Sequence, residues 1–312
     1  MKRRNFISAG ILSGIGVVIS KSLSAKNQEK KRVLRVGHVT DMHIFPDQVP
    51  EKGIKQLVDE LNSLTDKPDF ILNTGDNVMD SLEHSKEEVN AQWKAWEGYF
   101  RSQLQYKLYN CIGNHDVWGW GIKENAPVDD PLYGKAWALQ QLQLKSRYYS
   151  FVQAGWKFIC LDSVAPATDG HSSYTAKLDE EQFSWLKEEL ASTSPTMPIC
   201  IVSHIPILSS SVFFDGENEK SGNWQVPGAW MHIDARSLKD LFQKYPNIKL
   251  AISGHVHLVD QVNYLNVQYL CNGAACGGWW GGNYQEFAPA YALLDFYDDG
   301  SFNYEMFYYN WK

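Results

Sequence analysis

The chain has 312 residues, of which 44% are hydrophobic, and a formal net charge of -7. That length allows one large hydrophobic core or two domains of ordinary size. The acidic balance, without a stripe of Lys and Arg in the body of the chain, argues against broad nucleic-acid binding, which depends on neutralising phosphates. No nucleic-acid partner is therefore expected.

Residues 1–25 have the order of an export signal. A basic start with Arg3 and Arg4 precedes an apolar stretch at residues 6–20, and small residues suited to cleavage follow it. The Arg-Arg pair is similar to a twin-arginine signal. An uncleaved anchor is the alternative, although the apolar stretch is shorter than the roughly 20 residues of a membrane helix.

The export signal predicts contact with the export machinery and a location in the periplasm or cell envelope. Residues 26–32 are polar and basic and are predicted to be a flexible N-terminus. No second apolar run approaches membrane length, so no stable membrane span is expected in the mature chain. Residues 33–312 are predicted to form a single domain.

The five cysteines do not form a disulfide framework, because their number is odd and their spacing irregular. Cys111, Cys160 and Cys200 lie in apolar runs and are predicted to be buried thiols. Cys271 and Cys276 are close enough to pair in an oxidising compartment, and the sequence leaves this open. The absence of a Cys-x-x-Cys pair argues against a thiolate zinc site.

The first half of the domain alternates strands and helices. Apolar runs predict strands at residues 33–40, 69–74 and 107–112, and helical spacing predicts helices at 53–64 and 85–101. This order predicts a parallel sheet built from βαβ units.

The second half is predicted to be richer in strands. Strands are predicted at residues 147–153, 156–162, 199–203, 250–253, 261–272, 291–298 and 302–310, and helices at 178–191 and 235–245. Residues 119–135 are predicted to be a loop, and residues 209–233 a long polar insertion. One domain with two sheets between helical layers is the simplest arrangement.

Short polar clusters follow the strands. They are Asp41-Met42-His43, Gly75-Asp76-Asn77, Gly113-Asn114-His115-Asp116, Ser203-His204 and Gly254-His255-Val256-His257. In open α/β sheets, sites form beyond the carboxyl ends of the strands, so residues distant in sequence can meet at one edge. Carboxylate, imidazole and amide ligands suit Mn, Fe, Zn, Co or Ni. The clusters therefore predict a two-metal site for oxygen substrates.

In this order the clusters resemble the calcineurin-like metallophosphoesterase superfamily, over residues 33–257. The resemblance implies a four-layer α/β/β/α sandwich with two mixed sheets flanked by helices. It also implies two divalent transition metal ions, Mn, Fe or Zn. By this resemblance the first ion is held by Asp41, His43 and His257, the second by Asn114, His204 and His255, and both by the bridging Asp76, while His115 is the proton donor or leaving-group stabiliser.

Departures from the superfamily's sequence patterns limit the branches of the superfamily that the chain can resemble. Met79 stands where purple acid phosphatases have a metal-binding Tyr, and the segment after Asp76 lacks the Asp-Arg pair of the Ser/Thr protein phosphatases. The sequence therefore leaves open which carboxylate orients His115, and Asp80 and Asp116 are the alternatives. The chain most resembles the bacterial group that includes cyclic-nucleotide phosphodiesterase-like and other exported phosphoesterases.

The expected activity is hydrolysis of a small phosphomonoester or phosphodiester by a metal-bridging hydroxide. A non-catalytic envelope ligand-binding protein that retains the metal fold is the alternative. A third possibility is an interaction protein with a Trp-rich surface and a purely structural metal site. A catalytic site differs from a structural one in keeping a coordination position open for water and substrate.

Several residues outside the motifs also have predicted roles. Residues 277–282, Gly-Gly-Trp-Trp-Gly-Gly, are either a mobile substrate wall or a packed turn with Trp in the core. Trp118 and Trp120 are predicted to line the pocket. Four other histidines are predicted to be structural or at the surface: His38, His84, His171 and His232.

Overall fold

A computed structural model describes residues 30–168 and 173–311. The predicted export signal, residues 26–29 of the predicted N-terminal segment and His171 lie outside these residues. From Lys31 onwards the chain forms one compact unit. Among the described residues, no helix combines the length and the hydropathy needed to cross a membrane.

Thirteen strands and five α-helices make up the described part of the chain. The strands are β1 (Arg32–Val39), β2 (Phe70–Asn73), β3 (Leu108–Asn110), β4 (Tyr149–Gln153), β5 (Trp156–Cys160), β6 (Val164–Pro166), β7 (Tyr174–Ala176), β8 (Ile199–Val202), β9 (Ile248–Ser253), β10 (Val259–Tyr264), β11 (Val267–Asn272), β12 (Ala290–Tyr297) and β13 (Phe302–Tyr308). The helices are α1 (Gln48–Ser63), α2 (Lys86–Trp96), α3 (Ala136–Gln141), α4 (Glu180–Ser192) and α5 (Ala235–Phe242), with a π-helical turn at Glu97–Arg101.

Two large mixed sheets have similar organisation. The first has the order β13-β12-β1-β2-β3, and the second has the order β10-β11-β9-β8-β5-β4. In the first, β1, β2 and β3 are parallel, as the βαβ pattern predicts. In the second, β5, β8, β9 and β11 are parallel, and antiparallel strands lie at both edges. Each sheet therefore presents several strand carboxyl ends at one edge.

Three apolar clusters define four layers. Helices α1 and α2 pack on the first sheet through residues such as Leu57 and Trp93. The facing surfaces of the sheets meet around Phe70 and Phe158, whose ring centroids lie 5.5 Å apart. Helices α4 and α5 cover the second sheet through residues such as Leu186. The predicted α/β/β/α sandwich is confirmed.

The predicted strand at residues 261–272 is instead a hairpin of β10 and β11. Its turn residues Leu265 and Asn266 both have positive φ, 49° and 65°. Two-residue hairpin turns of this kind usually carry Asn-Gly or Asp-Gly. Leu-Asn lacks that signature, so the sequence pattern did not reveal the turn. The short helix α3 and the two-stranded sheet of β6 and β7 were also missed, because each is too short for a clear period.

Trp280 ties the segment after β11 to helix α1. Its ring is buried, packs on Trp311 at a centroid distance of 5.1 Å and covers the backbone of Gly53. A Cβ at Gly53 would lie 2.2 Å from the indole ring. The indole Nε1 also donates to the carbonyl of His43, 3.0 Å away. The packed-turn interpretation of residues 277–282 therefore holds for this Trp.

We expect Gly53→Ala to lower the free energy of unfolding by up to about 2 kcal/mol, because an overpacking cost of about 1–3 kcal/mol outweighs the gain of about 1 kcal/mol from better helix propensity. Gly98→Ala is the control, since a Cβ there meets no atom of the described residues within 4 Å. Urea unfolding of both variants measures the two free energies. Equal stabilities of the two variants would contradict the packing of Trp280 on Gly53.

Candidate metal centre

The polar clusters lie where the parallel strands end. The structure brings them together from the carboxyl ends of both sheets, rather than from one sheet edge alone. The positions are Asp41 and His43 after β1, Asp76 after β2, Asn114 and His115 after β3, His204 after β8, and His255 and His257 after β9.

A first group of ligand atoms is formed by Asp41, His43 and His257. The Nε2 atoms of His43 and His257 lie 3.1 Å apart. Asp41 Oδ1 lies 3.6 Å from His257 Nε2 and 4.0 Å from His43 Nε2. Three atoms able to bind a metal therefore face one another.

A second group is formed by Asn114, His204 and His255. His204 Nε2 lies 2.9 Å from Asn114 Oδ1 and 3.2 Å from His255 Nδ1. This group again combines imidazole nitrogen with oxygen, which suits borderline transition metals.

One carboxylate oxygen is shared by the two groups. Asp76 Oδ2 lies 3.6 Å from His43 Nε2 and 3.2 Å from His204 Nε2. The other oxygen, Oδ1, accepts the backbone N–H of His115 at 2.8 Å. Asp76 is thus placed against an imidazole of each group, which is the position a bridging carboxylate takes between two cations.

Hydrogen bonds set the tautomer of all four imidazoles in the two groups. In each ring, the nitrogen turned away from the group contacts a backbone carbonyl. The contacts are His43 Nδ1 with Met79, His204 Nδ1 with Thr74, His257 Nδ1 with Gly277 and His255 Nε2 with Ala229, at 3.2, 3.1, 2.6 and 3.0 Å. Because a carbonyl only accepts, these nitrogens carry the protons, and lone pairs face the groups.

Asp41 is oriented in the same way. Its Oδ2 accepts from Thr40 Oγ1 at 2.6 Å and from the N–H of His255 at 2.8 Å. Its Oδ1 is buried and accepts no hydrogen bond from any residue that the structure describes. A buried carboxylate oxygen without a donor is unfavourable unless a cation pairs with it. This oxygen and the facing lone pairs fit divalent metal ions.

Backbone strain is concentrated in the same residues. Five of the seven predicted ligands have left-handed backbones: Asp41, His43, Asp76, His255 and His257, with φ of 53°, 44°, 51°, 76° and 58°. Such conformations cost on the order of 1–3 kcal/mol each in a non-glycine residue and are typical of functional sites. The strand ends bend sharply to aim these side chains.

The electrostatic environment favours a cation. Burial lowers the pKa of His43, His255 and His257, which keeps these rings neutral. Burial also opposes protonation of His204, but the adjacent Asp76 carboxylate outweighs it and raises that pKa to about 9. The field that would hold a proton on His204 is equally able to hold a metal ion.

Asp80, not Asp116, is the carboxylate beside His115. Asp80 Oδ1 lies 3.2 Å from His115 Nδ1. Asp116 is buried and accepts instead from the N–H groups of Gly113 and Asn77, at 2.9 and 2.8 Å. Burial lowers the pKa of His115, but the charge of Asp76 and the hydrogen bond that His115 donates to Asp80 raise it overall.

The Calcineurin-like phosphoesterase family matches residues 34–259. The chain belongs to this family. The membership confirms the predicted superfamily and the predicted enzyme class, a hydrolase of phosphoric esters.

Curated relatives and a solved structure agree with this membership. The chain is 25% identical to a 3′,5′-cyclic-nucleotide phosphodiesterase of Nostoc sp. over 87% of this chain and 91% of the relative. It is 22% identical to the 3′,5′-cyclic adenosine monophosphate phosphodiesterase CpdA of Haemophilus influenzae, over 80% of this chain and 79% of the relative. A dimetal phosphatase from Danio rerio has the same fold, with a TM-score of 0.60 and 11% identity over 90% of this chain and 100% of its own.

Two tryptophans of the phosphoesterase, Trp118 and Trp120, are predicted from the sequence to line the pocket, and the structure packs both against the core. Trp118 was expected in the pocket, but it is buried against Trp137 at 5.2 Å, and its Nε1 donates to the carbonyl of His84. That prediction is wrong, because the chain after His115 turns into the core. Trp120 is partly buried against the same core, with Lys135 5.3 Å from its ring.

Histidines outside the motifs have structural partners. His38 is buried between Thr74 and Asn272, with nitrogen contacts of 2.9 and 2.7 Å. His232 is buried and pairs with Asp234 at 2.8 Å. His84 is the least buried of the three, with 43% of its side chain exposed. These placements agree with the structural and surface predictions for the three described residues.

Two residues beside the metal centre carry no motif signal. Tyr174 packs edge-on to His255 at 6.3 Å. Burial, with the charges of Asp76 and Asp41, raises the pKa of its phenol, which therefore stays protonated. Cys276 Sγ lies 3.9 Å from Nδ1 of His257, and burial raises the pKa of its thiol. A lone Tyr or Cys in a sequence cannot be distinguished from a packing residue.

All five cysteines fall within the described ranges, and each is free and buried. Cys271 Sγ donates to the carbonyl of Gly254, and Cys276 Sγ donates to its neighbour Gly277. The pairing that the sequence left open between these two cysteines is therefore not formed in the structure.

We expect Asp41→Asn to reduce metal-dependent stabilisation, because Oδ1 would lose its charge. Wild-type protein stripped with a chelator should gain roughly 5–10 °C in Tm with saturating Mn²⁺ or Zn²⁺. The variant should gain much less. Without metal, the variant should be at least as stable as the wild type, because a buried unpaired charge is removed. An unchanged metal response would exclude Asp41 as a ligand.

Proposed function

We propose that the protein is a dinuclear-metal phosphoesterase that hydrolyses a small phosphate ester. The observation that carries this proposal is Asp76 Oδ2, a single buried oxygen facing His43 in one ligand group and His204 in the other. Two groups of imidazole, carboxylate and amide ligands around one shared oxygen are an arrangement for two cations.

Seven residues would hold the metal ions. Asp41, His43 and His257 would hold one, Asn114, His204 and His255 the other, and Asp76 both. When bound, such ions lower the pKa of water and neutralise the oxygens of a phosphoryl group. The protein's own contribution is orientation, since each imidazole is held by a carbonyl and Asp41 by Thr40 and the backbone.

His115 is the proposed proton donor to the leaving oxygen. Its ring centroid lies 4.9 Å from that of His43, so it borders the first group. Asp80 contacts its Nδ1, which directs Nε2 as the donating atom. The His115 side chain is 28% exposed, so substrate can reach it from solvent.

The names of the curated relatives support cyclic nucleotides as the first substrates to test. A cyclic phosphodiester has a poor alkoxide leaving group, which benefits from a proton donor. A non-catalytic ligand-binding protein is the competing class. Hydrolysis assays with mono- and bis-nitrophenyl phosphate and with 3′,5′-cyclic AMP, each with Mn²⁺ or Zn²⁺, distinguish the two classes.

Asn114→Ala should lower kcat for bis-nitrophenyl phosphate by at least about 100-fold, because the second ion loses a ligand and its placement. Asn263→Ala, an exposed change on strand β10, is the control and should keep wild-type turnover. Circular dichroism checks that both variants fold. Full turnover of Asn114→Ala with metal supplied would rule out the two-metal assignment.

His115→Ala should keep its metal content but lose rate, by about 100-fold or more for alkoxide leaving groups and less for nitrophenolate. Asp80→Asn should show the same dependence on leaving group with a smaller loss, because it acts through His115. The double variant should be no slower than His115→Ala alone. Equal losses across leaving groups would argue against proton donation.

A further inference from the structure

The segment at residues 277–282 carries two strained tryptophans in succession. Trp279 and Trp280 have φ of 47° and 68°, in the left-handed region. A bulky residue there is an outlier that persists only where its surroundings hold it. The segment is closed on itself by the N–H of Gly278, which donates to Gly282 at 2.9 Å, and by an isolated bridge between Gly277 and Gly282.

Burial in the core accounts for the strain at Trp280 but only in part for the strain at Trp279. Trp280 is buried against Gly53 and Trp311 and bonds the carbonyl of His43. Trp279 is 42% exposed. A half-exposed indole gains less from burial than Trp280 does, so burial alone does not account for its strained placement.

Trp279 lies on the rim of the first ligand group. Its ring stacks on His257 with centroids 4.3 Å apart and an interplanar angle of 29°, and it lies 5.9 Å from the ring of His43. One part of the indole therefore covers a predicted metal ligand, and the rest faces solvent beside the site where a phosphoryl group would bind.

The indole is held in place by its neighbours. Tyr284 meets it edge-on at 5.2 Å, with an interplanar angle of 89°. The Tyr284 hydroxyl donates to Asp215 Oδ1 at 2.5 Å, which ties this segment to the insertion at residues 209–233. Gln285 adds a second tie, because its Nε2 donates to the carbonyl of Phe214 at 3.3 Å. Trp279 is thus a supported aromatic surface, not a free side chain.

We propose that Trp279 is a specificity residue that stacks on a planar aromatic group of the ester bound at the metal centre, as a nucleobase would. The proposal rests on the proposed function, since it assumes that the phosphate binds at the two ligand groups. Stacking of a base on an aromatic side chain is typically worth about 5- to 150-fold in affinity. Trp279 would therefore favour nucleotides over phosphate esters without a ring.

The competing explanation is that Trp279 only shields and positions His257. The two explanations differ in what the side chain recognises. A shielding residue affects every ligand of the metal centre alike, because it acts through the metal. A stacking residue affects only ligands that carry a base.

A matched pair of competitors separates these explanations. Adenosine 5′-monophosphate and ribose 5-phosphate carry the same phosphate and differ in the base. Their inhibition constants would be measured against hydrolysis of bis-nitrophenyl phosphate by metal-loaded protein. In the wild type, the nucleotide should bind at least about tenfold more tightly than the sugar phosphate.

Trp279→Ala should raise the inhibition constant of the nucleotide by about tenfold and that of the sugar phosphate by less than about twofold. Trp279→Phe should retain part of the preference. Tyr264→Ala is the control, because this exposed ring lies at the β10–β11 turn, at the end of β10 away from His257. Metal content is measured for every variant.

Equal inhibition by the two competitors in the wild type, or equal losses for both in Trp279→Ala, would overturn the proposal. If the wild type hydrolyses no ester, the proposed function fails, and calorimetric binding of the same two competitors still decides the role of Trp279. The two failures are therefore distinguishable.

Discussion

The shared carboxylate of Asp76 is the constraint around which the metal centre is arranged. It is buried, and a buried carboxylate is costly without cationic partners and donors. Its two oxygens contact the His115 backbone on one side and the two imidazole groups on the other. The loop after β3 must approach it closely, since a Cβ at Gly113 would lie 2.1 Å from Asp76 Oδ1. The edges of both sheets are thereby held at one point.

The strained backbones and buried charges of the candidate metal centre lie at the ends of strands that are stabilised by apolar packing of the two sheets. Five of the seven predicted ligands have left-handed backbones, and two of the seven are buried carboxylates. The apolar clusters on both faces of each sheet hold the strand ends that carry this strain. Asp116 also connects the loops after β2 and β3, because its carboxylate accepts hydrogen bonds from the N–H groups of Asn77 and Gly113. A site that is unfavourable without cations is consistent with a scaffold that selects them.

Asp80 contacts His115 although the sequence after Asp76 lacks the expected motif. The segment after Asp76 has no Asp-Arg pair, yet the Asp80 carboxylate contacts His115. Backbone bonds hold the segment: Met79 donates to Ile44 at 3.0 Å, and Ser81 donates to His115 at 2.8 Å. Gln92 of helix α2 also accepts the N–H of Asp80 and donates to its carbonyl. The orientation of His115 therefore depends on contacts between elements and not on a local motif.

The sequence by itself determined the layers and the ligand types. Periodic apolar runs located most strands and both helices of the βαβ units, and polar clusters such as Asp41-Met42-His43 and Gly254-His255-Val256-His257 stood at strand ends, where parallel sheets place their sites. Only the tertiary structure decided which nitrogen of each candidate His ligand faces the other ligand atoms, whether Asp80 or Asp116 contacts His115, and that Trp280 is buried while Trp279 lies beside His257. These outcomes depend on side-chain rotamers and on contacts between residues far apart in the chain. A sequence pattern reports local periodicity and residue type, and neither specifies the direction of a side chain beyond its own strand or helix.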